Sequence, residues 1–342
     1  MIGKIFGIRA LTVSFAAVLV LAAICPHTVV ASPTVAISPV DDSVAAPAVS
    51  PATIVAFVTN NVSDYWTVAR KGAEKAVQED PSITLKFDMP ADGSAATQKA
   101  DVEALLASGV KAIAISPVYP KSESAWLDEI AAKVPLVTQD ADAPDSNRLA
   151  FIGSDNYAAG LQAGGLIKRA LPNGGKIEIF VGMTSPPNAR DRAAGIRDAL
   201  KGSNVKILDT MLDDADHARA KANAAQTLVD HPDIAGLVGL WSYNGPAIVS
   251  ALYDAHKIGK VKVVCFDEDR ITLTAVKSGA IYGTVVQQPY LFGYQAVKLL
   301  KALALGDASG VPDNKMIYIP TLSITKNNVD AYTANLNALI GN

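Results

Sequence analysis

The chain has 342 residues, half of them hydrophobic and 18% charged, with 24 glycines and 19 prolines. At about 150 residues per domain this leaves room for roughly two globular domains and excludes a disordered, collagenous or coiled-coil chain. Thirty Lys and Arg against 33 Asp and Glu give a formal charge of −3, without the basic excess that binding a phosphate backbone needs, so nucleic acid is not an expected partner.

Residues 1–31 read as a cleavable secretory signal: Lys4 and Arg9 precede an apolar run from Leu11 to Ile24, and Val29-Val30-Ala31 supplies small residues for cleavage. The run is shorter than the roughly 20 residues a membrane span requires. Cys25 follows Ile24, where a lipid-attachment signal favours a small side chain, so lipidation at Cys25 is kept only as an alternative. Removing the signal leaves 28 basic and 33 acidic residues, and Cys265 as the one cysteine, so no internal disulfide is expected. Its neighbours, Val263-Val264-Cys265-Phe266, suggest a buried strand thiol. Residues 32–52, with Pro33, Pro39, Pro47 and Pro51, read as a Pro/Ala/Ser-rich linker.

Beyond the linker, short apolar runs alternate with helical stretches. Ile54–Val58 precedes a helix over Tyr65–Gln78, Ile83–Phe87 precedes Ala95–Ala107, and Ala112–Ile115 precedes Ser122–Ala132, with Leu136-Val137 after it. The rhythm restarts with strands at Lys176–Val181, Val205–Met211, Ile234–Val238, Val261–Phe266 and Ile281–Val286, and helices near 187–201, 216–230, 244–257 and 268–278. Parallel strands need such crossovers, so the spacing predicts an α/β protein of two doubly wound halves. Ligands of such sheets lie beyond the carboxyl ends of the strands. The residues there are Thr59, Ser63, Tyr65 and Trp66, Ser116, Asp140 and Asp142 in the first half, and Asn188, Arg190, Trp241 to Asn244, Asp267-Glu268-Asp269 and Gln287-Gln288 in the second. Carboxylates, amides, one guanidinium and aromatic rings suit a polyol, whose vicinal hydroxyls need two-ended partners and whose C–H face suits an aromatic ring.

Catalytic and metal signatures are missing where they were sought: no phosphate-binding loop, no dinucleotide fingerprint, no nucleophile elbow, and four scattered histidines without metal spacing. Asp213-Asp214-Ala215-Asp216 lacks the glycine and distal glutamate of a calcium loop and reads as a solvated helix start.

From about Thr53 onward the chain resembles the periplasmic sugar-binding proteins of ribose-type ABC importers, closest to the glucose- and xylose-binding members. The marks are Ser63-Asp64-Tyr65-Trp66, Asp140-Ala141-Asp142-Ala143-Pro144 leading to Ile152-Gly153-Ser154-Asp155-Asn156-Tyr157, Tyr243-Asn244-Gly245-Pro246-Ala247, Val263–Asp267 and Gln287-Gln288-Pro289-Tyr290. The resemblance implies the type I periplasmic binding protein fold: two Rossmann-like lobes, 53–154 plus 288–316 and 155–287 plus 317–342, joined by a three-segment hinge. It implies a monosaccharide ligand sandwiched by Tyr65 and Trp66, with Asp140 and Arg190 on its hydroxyls and Asn244, Asp267 and Gln287 from the second lobe. It further implies an extracytoplasmic monomer that is not an enzyme, has no cofactor or metal, and delivers to an ABC permease. Ala141 stands where ribose binders usually carry arginine, which points to a hexose or another pentose. An alternative is a sugar-sensing module for a membrane kinase or chemoreceptor. A transcriptional repressor core would need a basic helix-turn-helix before the first strand, where this chain has its signal and linker, and a glycosidase would need a catalytic carboxylate pair, for which Asp140 and Asp267 are the only suggestion.

Overall fold

The computed structural model describes residues 52–341; the expected signal, linker and Cys25 lie outside the described residues. In the first lobe, β1 (Thr53–Val58), β2 (Ile83–Asp88), β3 (Ala112–Ile115), β4 (Leu136–Gln139) and β5 (Ala150–Gly153) alternate with α1 (Asp64–Glu79), α2 (Ala95–Ala107) and α3 (Ser124–Ala131). The second lobe runs α4 (Asn156–Ala170), β6 (Gly175–Val181), α5 (Pro187–Leu200), β7 (Val205–Leu212), α6 (His217–Asp230), β8 (Ile234–Gly239), α7 (Asn244–Asp254), β9 (Lys262–Phe266), α8 (Arg270–Ser278) and β10 (Gly283–Val286). The chain then returns as α9 (Pro289–Ala304) and β11 (Met316–Tyr318) before ending in β12 (Leu322–Thr325) and α10 (Val329–Ile340).

The two six-stranded sheets have the same order, β11-β5-β4-β3-β1-β2 and β12-β10-β9-β8-β6-β7. Every pairing is parallel except β12 against β10. Because successive strand residues point to opposite faces, each strand serves two cores. Val55 and Phe57 of β1 pack under α1 and α9, while Ala56 and Val58 pack under α2 and α3. In β9, Val263 and Cys265 turn one way, Val264 and Phe266 the other. The Cys265 thiol is fully buried, as expected, and burial pushes it up to about 12.

Two helix pairs approach closely through glycine. A Cβ on Gly293 of α9 would lie 1.9 Å from the Ala69 carbonyl of α1, and one on Gly160 of α4 2.3 Å from the Arg192 carbonyl of α5. The second and third crossings are tied by Gln288 Nε2, which donates to the Pro320 carbonyl at 2.7 Å, and Gln162 Nε2 on α4 donates to that of Thr321 at 3.5 Å. The third crossing falls after Tyr318 instead of at the expected 316/317 boundary, because Met316–Tyr318 pair with β5 in the first sheet. Among the described residues no helix is long and apolar enough to cross a membrane.

Candidate ligand-binding site

The first-lobe wall forms where β1, β3 and β4 end. Asp140 directly follows β4 and holds a left-handed φ of 61°, a conformation aspartate tolerates better than most L-residues. Its backbone N–H stays on the Ile152 carbonyl at 3.0 Å, which fixes the carboxylate at the strand end. Tyr65, in the first turn of α1, donates to Asp140 Oδ1 at 3.0 Å, and Ser116 Oγ donates to Oδ2 at 3.2 Å. Asn60 bridges outward, donating to Ser116 Oγ and accepting from Trp66 Nε1, both at 3.1 Å. Burial pushes the Asp140 carboxyl up to about 6, with Asp267 adding to the rise and Tyr65, Arg192 and Ser116 opposing it.

Asp267 takes the matching place at the end of β9, also left-handed at φ 69°. Gln287 Nε2 donates to its Oδ1 at 3.1 Å, and Arg192 Nη1 stands 3.7 Å from its Oδ2. Arg192 is buried, donating to the Leu240 carbonyl at 2.7 Å and to Asn156 Oδ1 at 2.9 Å, with its guanidinium 4.5 Å from the Phe266 ring centre. The Tyr65 phenol is held well above its ordinary range by burial, then by Asp140, Asp267 and Glu268. One tyrosine of the first lobe therefore senses carboxylates from both strand ends.

The expected residues divide into those the fold brings to this cluster and those it does not. Tyr65 bonds Asp140 at the first-lobe strand ends, and Gln287 bonds Asp267 at those of the second lobe. Arg190 is exposed, with Nε 3.2 Å from Asp191 Oδ1; the guanidinium at the site belongs to Arg192. Asp142 is engaged within its own lobe by Thr138 and by a bidentate pair with Arg148. Trp66 is 2% exposed and packs in the first-lobe core, its ring plane 86° from that of Tyr65. Consecutive residues on a helix project about 100° apart, so the two rings cannot face each other as parallel walls. Thr59 is buried on the Asn61 carbonyl, and Ser63 is exposed ahead of α1. Asn244 is buried, its amide shared between Asp213 Oδ2 and the Trp241 N–H, and Trp241 lies over Gly182, where a Cβ would come 2.1 Å from the ring.

Two further carboxyls bear on the site: Asp213, which the sequence did not point to, and Glu268, which stood among the strand-end candidates. Asp213 is fully buried and accepts from Tyr243 and Asn244, so it departs from the expected solvated helix start, which the exposed Asp214 and Asp216, the cap of α6, fit. Glu268 is held well above its ordinary range by burial, then by Asp267. Of eight buried side-chain polar atoms without a partner among the described residues, five lie at or just beyond the carboxyl ends of strands: Asp88 Oδ2, Gln139 Oε1, Ser154 Oγ, Trp241 Nε1 and Glu268 Oε2. Folded proteins satisfy nearly all such atoms, so these strand ends carry hydrogen-bonding capacity that a polar ligand or water could take up.

The model of the periplasmic binding protein domain matches residues 54–308. The ribose import binding protein RbsB of Bacillus subtilis is 27% identical over 248 residues, 72% of this chain and 79% of that protein. A solved ABC transporter solute-binding protein from Burkholderia graminis, in complex with D-arabinose, is 30% identical with a TM-score of 0.76, over 82% of this chain and 98% of its own. XylFII in a XylFII–LytSN complex is 25% identical with a TM-score of 0.71, over 81% of this chain and 99% of its own. Two lobes of one strand order, left-handed aspartates at the ends of equivalent strands and a family match over residues 54–308 make the chain a member of the periplasmic binding protein family.

Proposed function

We propose that this protein, in the periplasm or otherwise outside the cytoplasm, captures a monosaccharide between its lobes without chemical change and delivers it to an ABC permease. A hexose or pentose such as glucose or xylose is the expected ligand. The observation that carries the reading is the pairing of strand-end clusters: Tyr65 and Asp140 from one lobe, Arg192, Asp267 and Gln287 from the other. A sugar enclosed between lobes loses water from most hydroxyls, and each bond left unreplaced costs about 1–3 kcal/mol. Carboxylates, amides and a guanidinium replace those bonds, and groups on both lobes favour the closed form through differential affinity. The ribose and D-arabinose relatives support a sugar as the ligand class.

Thermal melts with D-glucose, D-xylose, D-ribose and D-arabinose test this. A true ligand at 100 times its Kd adds about 2.7 kcal/mol to stability, and calorimetry should return the same Kd. No shift with any of them, nor with a wider panel of monosaccharides and polyols, overturns the proposal. A second reading is that the closed form signals to a membrane sensor; a neighbour solved in a complex of XylFII with LytSN shows that a chain of this fold can be held by a second protein. The proteins captured from solubilised membranes by the sugar-loaded form separate the two: permease subunits support delivery, a kinase or chemoreceptor supports sensing.

A further inference from the structure

The buried Arg148 and the half-buried Asp142 form a pair with no place in the ligand cluster. Arg148 is 5% exposed, and its Nε and Nη2 engage both carboxylate oxygens of Asp142, the latter at 2.7 Å. Thr138 Oγ1, on β4, donates to the same carboxylate at 2.8 Å. The far side of the guanidinium reaches another part of the chain: Nη1 lies 3.4 Å from the Lys315 carbonyl and Nη2 3.4 Å from Met316 Sδ. The Lys315 carbonyl also accepts the Phe151 N–H of β5 at 2.8 Å, and Lys315 holds a left-handed φ of 58° as it feeds β11. At the other end of that strand the Ile319 N–H donates to the Gly153 carbonyl at 2.8 Å. One guanidinium thus joins the loop two residues past Asp140 to the start of β11 and, through the shared Lys315 carbonyl, to β5, the strands that run into the third and first crossings.

We propose that Asp142 and Arg148 are positioning residues: a strut fastening the Asp140 loop to the strands entering two of the three crossings, so that ligand held by Asp140 moves the hinge with it. This rests on the sugar-binding reading of Asp140. The bidentate fork suits the task because two parallel charge-assisted bonds fix angle as well as distance, and burial shields the pair from the screening that weakens surface ion pairs. Neither residue needs to touch the ligand.

The test separates the strut from mere stabilisation. Arg148→Leu leaves a half-buried carboxylate without its cation and should lower the melting temperature, whereas Asp142→Leu/Arg148→Leu removes both charges, a change that commonly preserves stability. The double variant should melt near wild type. Its affinity for whichever of D-glucose, D-xylose, D-ribose or D-arabinose binds wild type should fall roughly 3- to 30-fold, with a smaller ligand-induced contraction by X-ray scattering. Wild-type affinity and contraction in the double variant overturn the strut. Hydrogen exchange without sugar provides an independent arm. Exchange of the Phe151 and Ile319 amides should quicken at least about tenfold relative to Ile113 in the central strand β3, and unchanged exchange also overturns the strut. Failure of every saccharide to bind wild type sinks the functional reading, while the exchange arm still decides the strut.

Discussion

Asp140 and Asp267 close equivalent strands of the two sheets in a backbone conformation few L-residues adopt, with costs of order 1–3 kcal/mol where the side chain gives no local compensation. The Asp140 carboxyl also carries a titration. Its folded value of about 6 lies above the ordinary 3.8, so the stability tied to its neutral form is complete below about pH 4 and disappears as pH rises through 6. The ligand-free protein should therefore gain stability from this group between pH 7 and 5. Asp140→Asn, which keeps the left-handed backbone accessible, should reduce that gain in pH-resolved melts and weaken sugar binding by about tenfold or more. Glu268 shifts in the same direction; Glu268→Gln should melt with wild type below the ordinary glutamate value of 4.5 and increasingly above it as pH rises. Arg192 shows how much of the site a finer reading of the sequence could reach. Ala189, Arg192, Ala193 and Ile196 are the buried face of α5, spaced i, i+3, i+4, i+7, which places Arg190 outside. Asp213 offered no such signal, because one of four residues in an acidic-looking run is buried only through partners 30 and 31 positions away.

Most strands and crossover helices were legible as apolar runs and 3.6-residue spacing, and β3 and α2 have the expected bounds. The segments left unassigned, β5, α4, α9, β11, β12 and α10, surround the crossings. There a helix such as α4 carries Gly160, Gly164 and Gly165, residues that lower intrinsic helix preference by about 1 kcal/mol each. Their value appears only in packing: α4 meets α5 at backbone distance through Gly160, and α5 is the helix that carries Arg192. The same logic holds for α9 on α1. Gly293→Ala puts a methyl 1.9 Å from the Ala69 carbonyl and should destabilise the first lobe by about 1–3 kcal/mol, read from the midpoint of denaturant unfolding. An unchanged midpoint means that the helices separate without cost.

Across the described residues the strand order occurs twice, and each copy ends in its own group of charged and polar side chains. Addition of the cognate monosaccharide should shrink the radius of gyration in solution scattering, and Asp267→Ala should abolish that change while leaving the ligand-free profile as it is. The crossings set the manner of any such movement. The last contains only Ile319, Pro320 and Thr321 between strands of different sheets, and the amides of Gln288 and Gln162 hold its carbonyls. Proline fixes one of its few free torsions. A joint so short behaves like a door hinge with a single axis: a bulkier guest should leave the door further ajar along the same arc, and size discrimination becomes a matter of the angle at which the latch can still engage.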